Sequence, residues 1–407
     1  MIAASLRRMI AHPAAGGVLL FVAALAAIVM ANTGASALYN AIIHFPAPPD
    51  SVPPSHLTLL TIVNEGLMAV FFLAVGLEVK YELLQGALNS RARAAFPALA
   101  ALGGMVAPAV IYSLVTAGAP ALRAGWSIPA ATDIAFAVGV LTLLGARVPA
   151  SLKVFLLALA IIDDLGAIVI IALFYNSALD WLALAAAGAV IDIMALMNRA
   201  NVRSLSLYLL LGALLWGCIL LSGIHATLAG VMVGGLIPLT LPSTGVSPAR
   251  ALEHRLQPWV MYLILPLFAF ANAGISLRGV APGHLTSFLP LGIAAGLVVG
   301  KPLGIVSFTA MAVKIRLARL PAGIAFRHIA AAAVLCGTGF TMSIFIANLA
   351  FGHDDPETIV LAKVGILSGS VIAALLGYLL LRTILPQPQG REACTGRGVS
   401  DESNTRV

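Results

Sequence analysis

The chain alternates between long apolar runs and short polar connections along nearly its whole length. About twelve runs can be marked off: 13–32, 58–80, 95–117, 122–145, 152–175, 181–198, 204–221, 223–238, 256–276, 287–313, 328–351 and 357–382. A helix of roughly 20 residues crosses a bilayer core. The pattern therefore predicts an all-α polytopic membrane protein of about twelve transmembrane helices. The seventh and eighth runs are joined by a short turn at Ser222-Gly223, and no connection is long enough for a soluble domain. Residues 1–384 read as one transmembrane domain. Residues 385–407, rich in Gly, Ser, Pro and Arg, read as a disordered cytoplasmic tail. Arg7 and Arg8 ahead of the first run imitate a signal peptide, but eleven further runs favour a retained first span.

Composition agrees. The 407 residues are 60% hydrophobic and 10% charged, against about 25% charged in soluble domains, and the mean hydropathy is +1.02. The net charge of +7 is then no argument for nucleic acid, because Lys and Arg gather at cytoplasmic membrane edges. With the N-terminus cytoplasmic, nineteen of the 23 basic residues fall on the cytoplasmic side. Arg123, Arg278 and Lys363 fall outside, and Lys301 lies within the membrane. The bias supports an even number of spans with both termini cytoplasmic. Cys218, Cys336 and Cys394 are scattered, without CxxC or metal spacing. The outer connection 32–57 holds Pro46, Pro48, Pro49, Pro53 and Pro54, which predicts an irregular or edge-like excursion.

Two runs have interrupted middles. Residues 127–133 of span 4 read SIPAATD, and residues 337–343 of span 11 read GTGFTMS. Non-helical backbone at mid-depth survives only where protein or a water-filled cavity surrounds it. Its carbonyls and half-helix ends are then free to bind ions. Each interrupted run is the middle of a three-span group, spans 3–5 and 10–12. The two groups enter the membrane from opposite sides, as in an inverted-topology repeat.

The intramembrane ionisable residues are few. Asp163 and Asp164 are the tenth and eleventh of the 21 residues of VFLLALAIIDDLGAIVIIALF, residues 154–174. A carboxylate at that depth costs roughly 2.5–3.5 kcal/mol on the mildest scale. Adjacent positions project about 100° apart on a helix. One division gives one carboxylate to a cavity and the other to a partner, and Lys301 at mid-depth in span 10 is the obvious partner. Which aspartate it meets is left open. One lysine does not neutralise Asp163, Asp164 and Asp133 together, so the site calls for a cation or protons. Hard cations take oxygen ligands, and carboxylates must be deprotonated to bind them. Such a site holds either protons or a cation, and in a cavity open to one side at a time it exchanges them. Asp133 is placed to compensate partial charges where the interrupted spans meet, and Thr132 offers a ligating oxygen.

Glu78, Lys80, Glu82, Glu253, His254 and Arg255 cluster at cytoplasmic span ends. They are either a solvated membrane edge or a pH-responsive network, since His titrates near neutrality. His225, opening span 8, is either a helix-start residue or a sensor. Asp192 is within reach of Arg199 two turns on and reads as structural, and Glu65 has no identified partner.

These stretches also resemble a known family. FFLAVGLEVK (from 71), AATDIAFAVGV (from 130), ALAIIDDLGAI (from 158), SGIHATLAG (from 222), LPLFAFANAG (from 265), GKPLGI (from 300) and LCGTGFTMSIF (from 335) closely resemble the bacterial NhaA-type sodium/proton antiporters. The resemblance covers nearly everything but the tail. It implies twelve spans, two crossing interrupted helices, and electrogenic exchange of sodium or lithium ions for a larger number of protons. It implies ion binding at Asp163 and Asp164, assisted by Thr132 and Asp133, with Lys301 beside them. It implies an inner-membrane homodimer in bacteria, activated by alkaline pH through Glu78, Glu82, Glu253 and His254. Tyr81 and Gln257 stand where the family often carries a base and a second histidine. The proline-rich outer loop departs from the strand-forming hairpin of the family's dimer contact.

Other functions fit less well. A sodium-coupled symporter of a small organic solute is the alternative, but it needs a further polar cluster for the solute. An intramembrane aspartyl protease needs aspartates on separate helices, and a membrane prenyltransferase needs two Asp-rich clusters near the surface. A channel needs a repeated ring of charge. The chain reads as a transporter of sodium or lithium ions and protons in a lipid bilayer, not an enzyme, with no cofactor and no nucleic-acid partner.

Overall fold

The computed structural model describes residues 15–45, 58–176, 179–240, 247–276, 282–321, 323–352 and 356–385, and these residues form helices and their connections. The helices are α1 (Ala15–Asn32), α2 (Ser36–His44), α3 (Leu59–Leu84), α4 (Arg91–Val115), α5 (Ile134–Leu143), α6 (Ala150–Phe174) and α7 (Trp181–Arg199). They continue with α8 (Leu205–Leu221), α9 (Leu228–Leu236), α10 (Pro248–Ala273), α11 (Phe288–Lys314), α12 (Phe326–Leu335), α13 (Phe340–Phe351) and α14 (Pro356–Ile384). A 3-10 helix, Pro120–Ala130, precedes α5. Among the described residues eight helices are long and apolar enough to cross a membrane alone, and two bent pairs, each counted as one span, bring the number to as many as ten.

The remaining two predicted spans are α8, 17 residues long, and α9, only nine. Nine residues rise about 14 Å, half a hydrocarbon core. Span 8 is expected over 223–238, but Gly223 takes φ +82°, and tight i→i+3 turns from His225, Ala226 and Thr227 lead into α9, which begins only at Leu228. The first part of the 32–57 connection also differs from expectation, because residues 36–44 are helical. All five prolines come after His44. The helix is held by Tyr39, whose hydroxyl donates to the carbonyls of Phe270 (2.9 Å) and Ala271 (3.2 Å). The prolines themselves and residues 386–407 of the expected tail lie outside the described residues.

The two interrupted spans break where Pro and Gly predicted. The Pro120–Ala130 segment and α5 meet at 45°, and α12 and α13 at 51°. The breaks cross each other. Asp133 N donates to Thr338 O at 2.7 Å, and the Ser343 hydroxyl donates to Ile128 O at 2.7 Å. Two equivalent members of the three-span groups, α4 and α11, cross at Gly103 and Gly304. A Cβ on either would stand 2.2 Å or less from the other's carbonyl oxygen. Small residues allow such close helix crossings in membranes.

Two π-turns have a local cause. Val260–Ile264 and Gly296–Gly300 each run into an X-Pro step, Leu265-Pro266 and Lys301-Pro302. Proline lacks an N–H, and its ring pushes away the carbonyl four residues back. The backbone widens instead: Leu265 N–H reaches Val260 O, and Lys301 N–H reaches Gly296 O. The extra residue turns the following side chains about 100° relative to a plain helix, and Lys301 is wholly buried. Apolar side chains with no protein cover, such as Leu114, Phe174 and Leu182, line the periphery. The buried polar residues Thr132, Asp133, Asp163, Asp164, Lys301, Thr338, Thr341 and Ser343 lie on the crossing segments and the helices around them.

Candidate functional site

The site is built on the broken backbone. Where the 3-10 segment ends, Ala130 O is free of helical bonding and accepts from Lys301 Nζ. Three residues on, Asp133 caps α5, its Oδ1 accepting from Phe136 N at 2.9 Å. Its Oδ2 accepts from Thr341 N at 3.1 Å and from the Thr341 hydroxyl, at the start of α13. One carboxylate thus faces the N-termini of two half-helices, where partial positive charge gathers. The ammonium sits at a C-terminal half-helix end, where partial negative charge gathers. Charges and helix ends are sorted by sign. Thr132 donates its hydroxyl to Cys336 O at 3.1 Å, at the end of α12. Its oxygen lone pairs remain available to a ligand.

On α6 the two aspartates part company. Asp163 Oδ2 accepts from Lys301 Nζ at 2.7 Å, with both side chains fully buried. Asp163 Oδ1 and Asp164 Oδ1 are buried with no hydrogen-bond partner among the described residues. Asp164 has Asp163, Asp133, Glu78 and Lys301 as its electrostatic neighbours. Three carboxylates therefore share one lysine. Asp133 is satisfied by helix ends and Asp163 Oδ2 by the ammonium, which leaves Oδ1 of Asp163 and of Asp164 with unspent acceptor capacity in the buried interior. An unpartnered carboxylate oxygen in such a place suits a proton or a hard cation.

The Na+/H+ antiporter 1 family model matches residues 7–381. The chain belongs to that Na+/H+ antiporter family. Among curated relatives it is 90% identical to the Na(+)/H(+) antiporter NhaA of Sodalis glossinidius, over 96% of this chain and 98% of that protein. It is 57% identical to the protein of the same name from Serratia proteamaculans, over 94% of this chain and 98% of that protein. To Na(+)/H(+) antiporter NhaA 1 of Klebsiella pneumoniae it is 56% identical, over 93% and 96%.

In this member of the Na+/H+ antiporter 1 family, the residues expected at the cytoplasmic edge divide into two places. Glu78, half-buried on α3, has Glu253, Glu82 and Arg250 as electrostatic neighbours. Arg250 pairs with Glu253 at 2.7 Å, and its guanidinium lies over the Tyr81 ring, 3.5 Å from the centroid. Tyr81 thus serves this cluster as a stacking surface. Glu82 accepts from Ala87 N at 2.6 Å and shapes the turn after α3. Lys80 donates to Gly235 O (2.8 Å) and Ile237 O (2.6 Å), capping the C-terminus of α9. His254 projects away from Glu253 and is exposed. His225 lies in the turn before α9, its carbonyl accepting from Leu228 N at 3.1 Å. It stands at the opposite end of α9 from Lys80, about 14 Å along the helix. Asp192 is exposed and forms no ion pair with Arg199 among the described residues, because seven residues of helix separate the two by about 10 Å.

Sequence reasoning missed two groups. Thr341 supplies two of the three donors described above for Asp133. Asn64, Asn272 and Asn348 form an amide chain across α3, α10 and α13. Asn272 Nδ2 donates to Asn64 Oδ1 at 2.7 Å, and Asn348 Nδ2 donates to Asn272 Oδ1 at 2.8 Å. The signal was three amides in otherwise apolar runs, each needing a partner in a membrane.

Proposed function

We propose that this chain is an electrogenic secondary antiporter that extrudes sodium or lithium ions in exchange for protons, in the service of intracellular pH and sodium homeostasis. The observation that carries the reading is the division within the Asp163–Asp164 pair: Asp163 is held by Lys301 through Oδ2, Asp164 forms no ion pair among the described residues, and each keeps a buried, unpartnered Oδ1. The relatives compared are named antiporters, which favours exchange over sodium-coupled symport and over enzymatic chemistry.

In the proton-loaded form Asp164 carries a proton and Asp163 faces the Lys301 ammonium, so the three groups together are neutral. Sodium binds by taking oxygens from both aspartates and from Thr132. It displaces the proton of Asp164 and breaks the Asp163–Lys301 pair. If Lys301 then also gives up its proton, two protons leave for each sodium that enters. The loaded site differs by one charge between its two forms, and this makes the cycle electrogenic. Were Lys301 to keep its proton, exchange would be one for one and blind to voltage. Asp133, bound to two half-helix ends, keeps the crossing intact as the two sides take turns to open. The charge of Glu78, which has Glu82, Glu253 and Arg250 as electrostatic neighbours, sets the field at Asp164, which supports an alkaline-activated response through this cluster. His254 acts on this cluster only through its charge at the surface, and His225 is the weakest member of the set.

The distribution of Lys and Arg supports cytoplasmic termini, and membership of the family supports a bacterial inner membrane and a homodimer. The test is sodium-dependent proton movement in inverted vesicles. Asp163→Asn and Asp164→Asn each abolish it while the protein stays folded; normal exchange in either variant would overturn the site. An imposed membrane potential changes the rate in proteoliposomes, and indifference to potential would overturn the unequal stoichiometry.

A further inference from the structure

A concave hollow of about 480 Å³ opens between the start of α4, the start of α6 and the connection after α11. Two arginines line it, Arg93 and Arg319, both exposed, together with the Ser151 hydroxyl. Neither guanidinium forms an ion pair with any described residue. The nearest acid along the chain, Glu82, accepts from the backbone N–H of Ala87 at the rim of the hollow and forms no ion pair with either arginine. The floor is apolar and tightly packed: Phe96 and Phe155 are each 3% exposed, with ring centroids 5.3 Å apart. Val154, half exposed, forms one lip.

The same two helices carry a second hollow of about 740 Å³ further along. It is lined by Leu102, Met105 and Val106 of α4 and by Ile162, Gly166 and Val169 of α6. Leu102, Val106 and Val169 have large uncovered apolar surfaces there. The pair of hollows is thus charged at one end only. From Ser151 to Ile162 the helix rises about 16 Å, the depth of one leaflet of a ~30 Å core.

We propose that the α4–α6 groove is a binding site for an anionic phospholipid. The headgroup phosphate lies between Arg93 and Arg319 with Ser151 as a further donor, and an acyl chain lies along the groove towards Ile162. Charge complementarity selects this occupant. Two unpaired arginines at a basic membrane edge face the leaflet where anionic headgroups gather, and guanidinium groups bind phosphate in two-point fashion. A soluble peptide would need polar partners along a wall that is mostly aliphatic, with Ser113 and Trp126 its only polar side chains among the described residues. Ser151 and the ion-site aspartates share one unbroken helix, so the lipid grips the start of the element that carries the exchange chemistry.

The experiment is native mass spectrometry of the purified full chain with phosphatidylglycerol, phosphatidylcholine or glycerol phosphate. Phosphatidylglycerol is retained in preference to the other two. Arg93→Gln with Arg319→Gln lowers its apparent affinity roughly thirtyfold, from about one charge contact each, while the control Arg382→Gln does not. Val154→Trp, which fills the lip and leaves both arginines, also lowers retention. Both changes sit at exposed positions, and size-exclusion profiles check that the variants stay folded. Equal retention by the double variant would overturn the proposal, as would equal retention of phosphatidylcholine. Retention of glycerol phosphate matching that of the lipid would overturn it in favour of a small-phosphate site.

Discussion

Replacing Lys301 by Gln tests the arrangement at its most heavily loaded contact. The Lys301–Asp163 pair is 2.7 Å long, and both side chains are fully buried. Gln is shorter and uncharged. It leaves Asp163 with no cation, although its Oδ1 already lacks a partner, and it withdraws the donor to Ala130 O. Removing one member of a buried pair costs about 3–5 kcal/mol, because the other charge stays behind in a poor solvent. Against a total stability on the order of 5–15 kcal/mol, that is a large loss. Asp163→Asn alone strands the ammonium and carries a similar cost. The double variant Lys301→Gln, Asp163→Asn has no stranded charge. Its remaining cost is the Ala130 carbonyl and imperfect amide pairing, about 1–3 kcal/mol. The assay is heat-induced loss of the monodisperse peak in size-exclusion chromatography for wild type, both single variants and the double. The double variant is expected to melt above either single variant and below wild type, with all three inactive. Additive losses in the double variant, or a wild-type melting temperature in Lys301→Gln, would show that the pair is not the charge-compensated unit argued above.

Other consequences are simpler. On the proposed mechanism protons and sodium compete for the same site, so the apparent sodium KM rises as pH falls; where two protons are displaced it approaches 100-fold per pH unit, and initial-rate measurements over a pH series in vesicles check this. Gly304→Ala places a Cβ 1.9 Å from Gly103 O and forces the α4–α11 crossing apart at about 1–3 kcal/mol or more. Gly188→Ala on α7 meets nothing within 4 Å and gains up to about 1 kcal/mol of helix propensity, so the two variants melt in opposite directions from wild type. Asn272→Ala takes from Asn64 and Asn348 their shared partner and lowers stability by about 1–3 kcal/mol, while a variant truncating an exposed residue such as Asn176 leaves the melting temperature unchanged.

The sequence disclosed the parts whose cost is visible locally. Adjacent aspartates in an apolar run, a lysine before a proline, and Gly- or Pro-broken spans each violate what a membrane helix tolerates, so each points to a site without any knowledge of neighbours. Long-range partners are not visible in that way. Nothing near Thr341 in the sequence says that its N–H and hydroxyl both go to Asp133, over 200 residues away. The 100° between adjacent helix positions divides the aspartates into unequal roles but does not assign them. Assignment needed the π-turn ahead of Pro302, which rotates Lys301 onto Asp163. Residues 36–44 were misjudged because proline density was averaged over the whole connection, although every proline lies beyond His44.

The sorting of charge explains why the chain tolerates so many ionisable groups in one place. Helix ends supply partial charges that cannot leave and need no counter-ion of their own, so Asp133 is held by two N-termini without drawing on Lys301. Lys301 is then free to be shared between Asp163 and a C-terminal carbonyl. Its bond to Asp163 is one a cation can replace, while the bond to Ala130 O can still be made by a neutral amine. No half-helix end among the described residues bonds Asp164 Oδ1. On the proposed mechanism that asymmetry separates a permanent structural carboxylate from two exchangeable ones, and it puts both exchangeable carboxylates on one helix, α6, facing a lysine on α11.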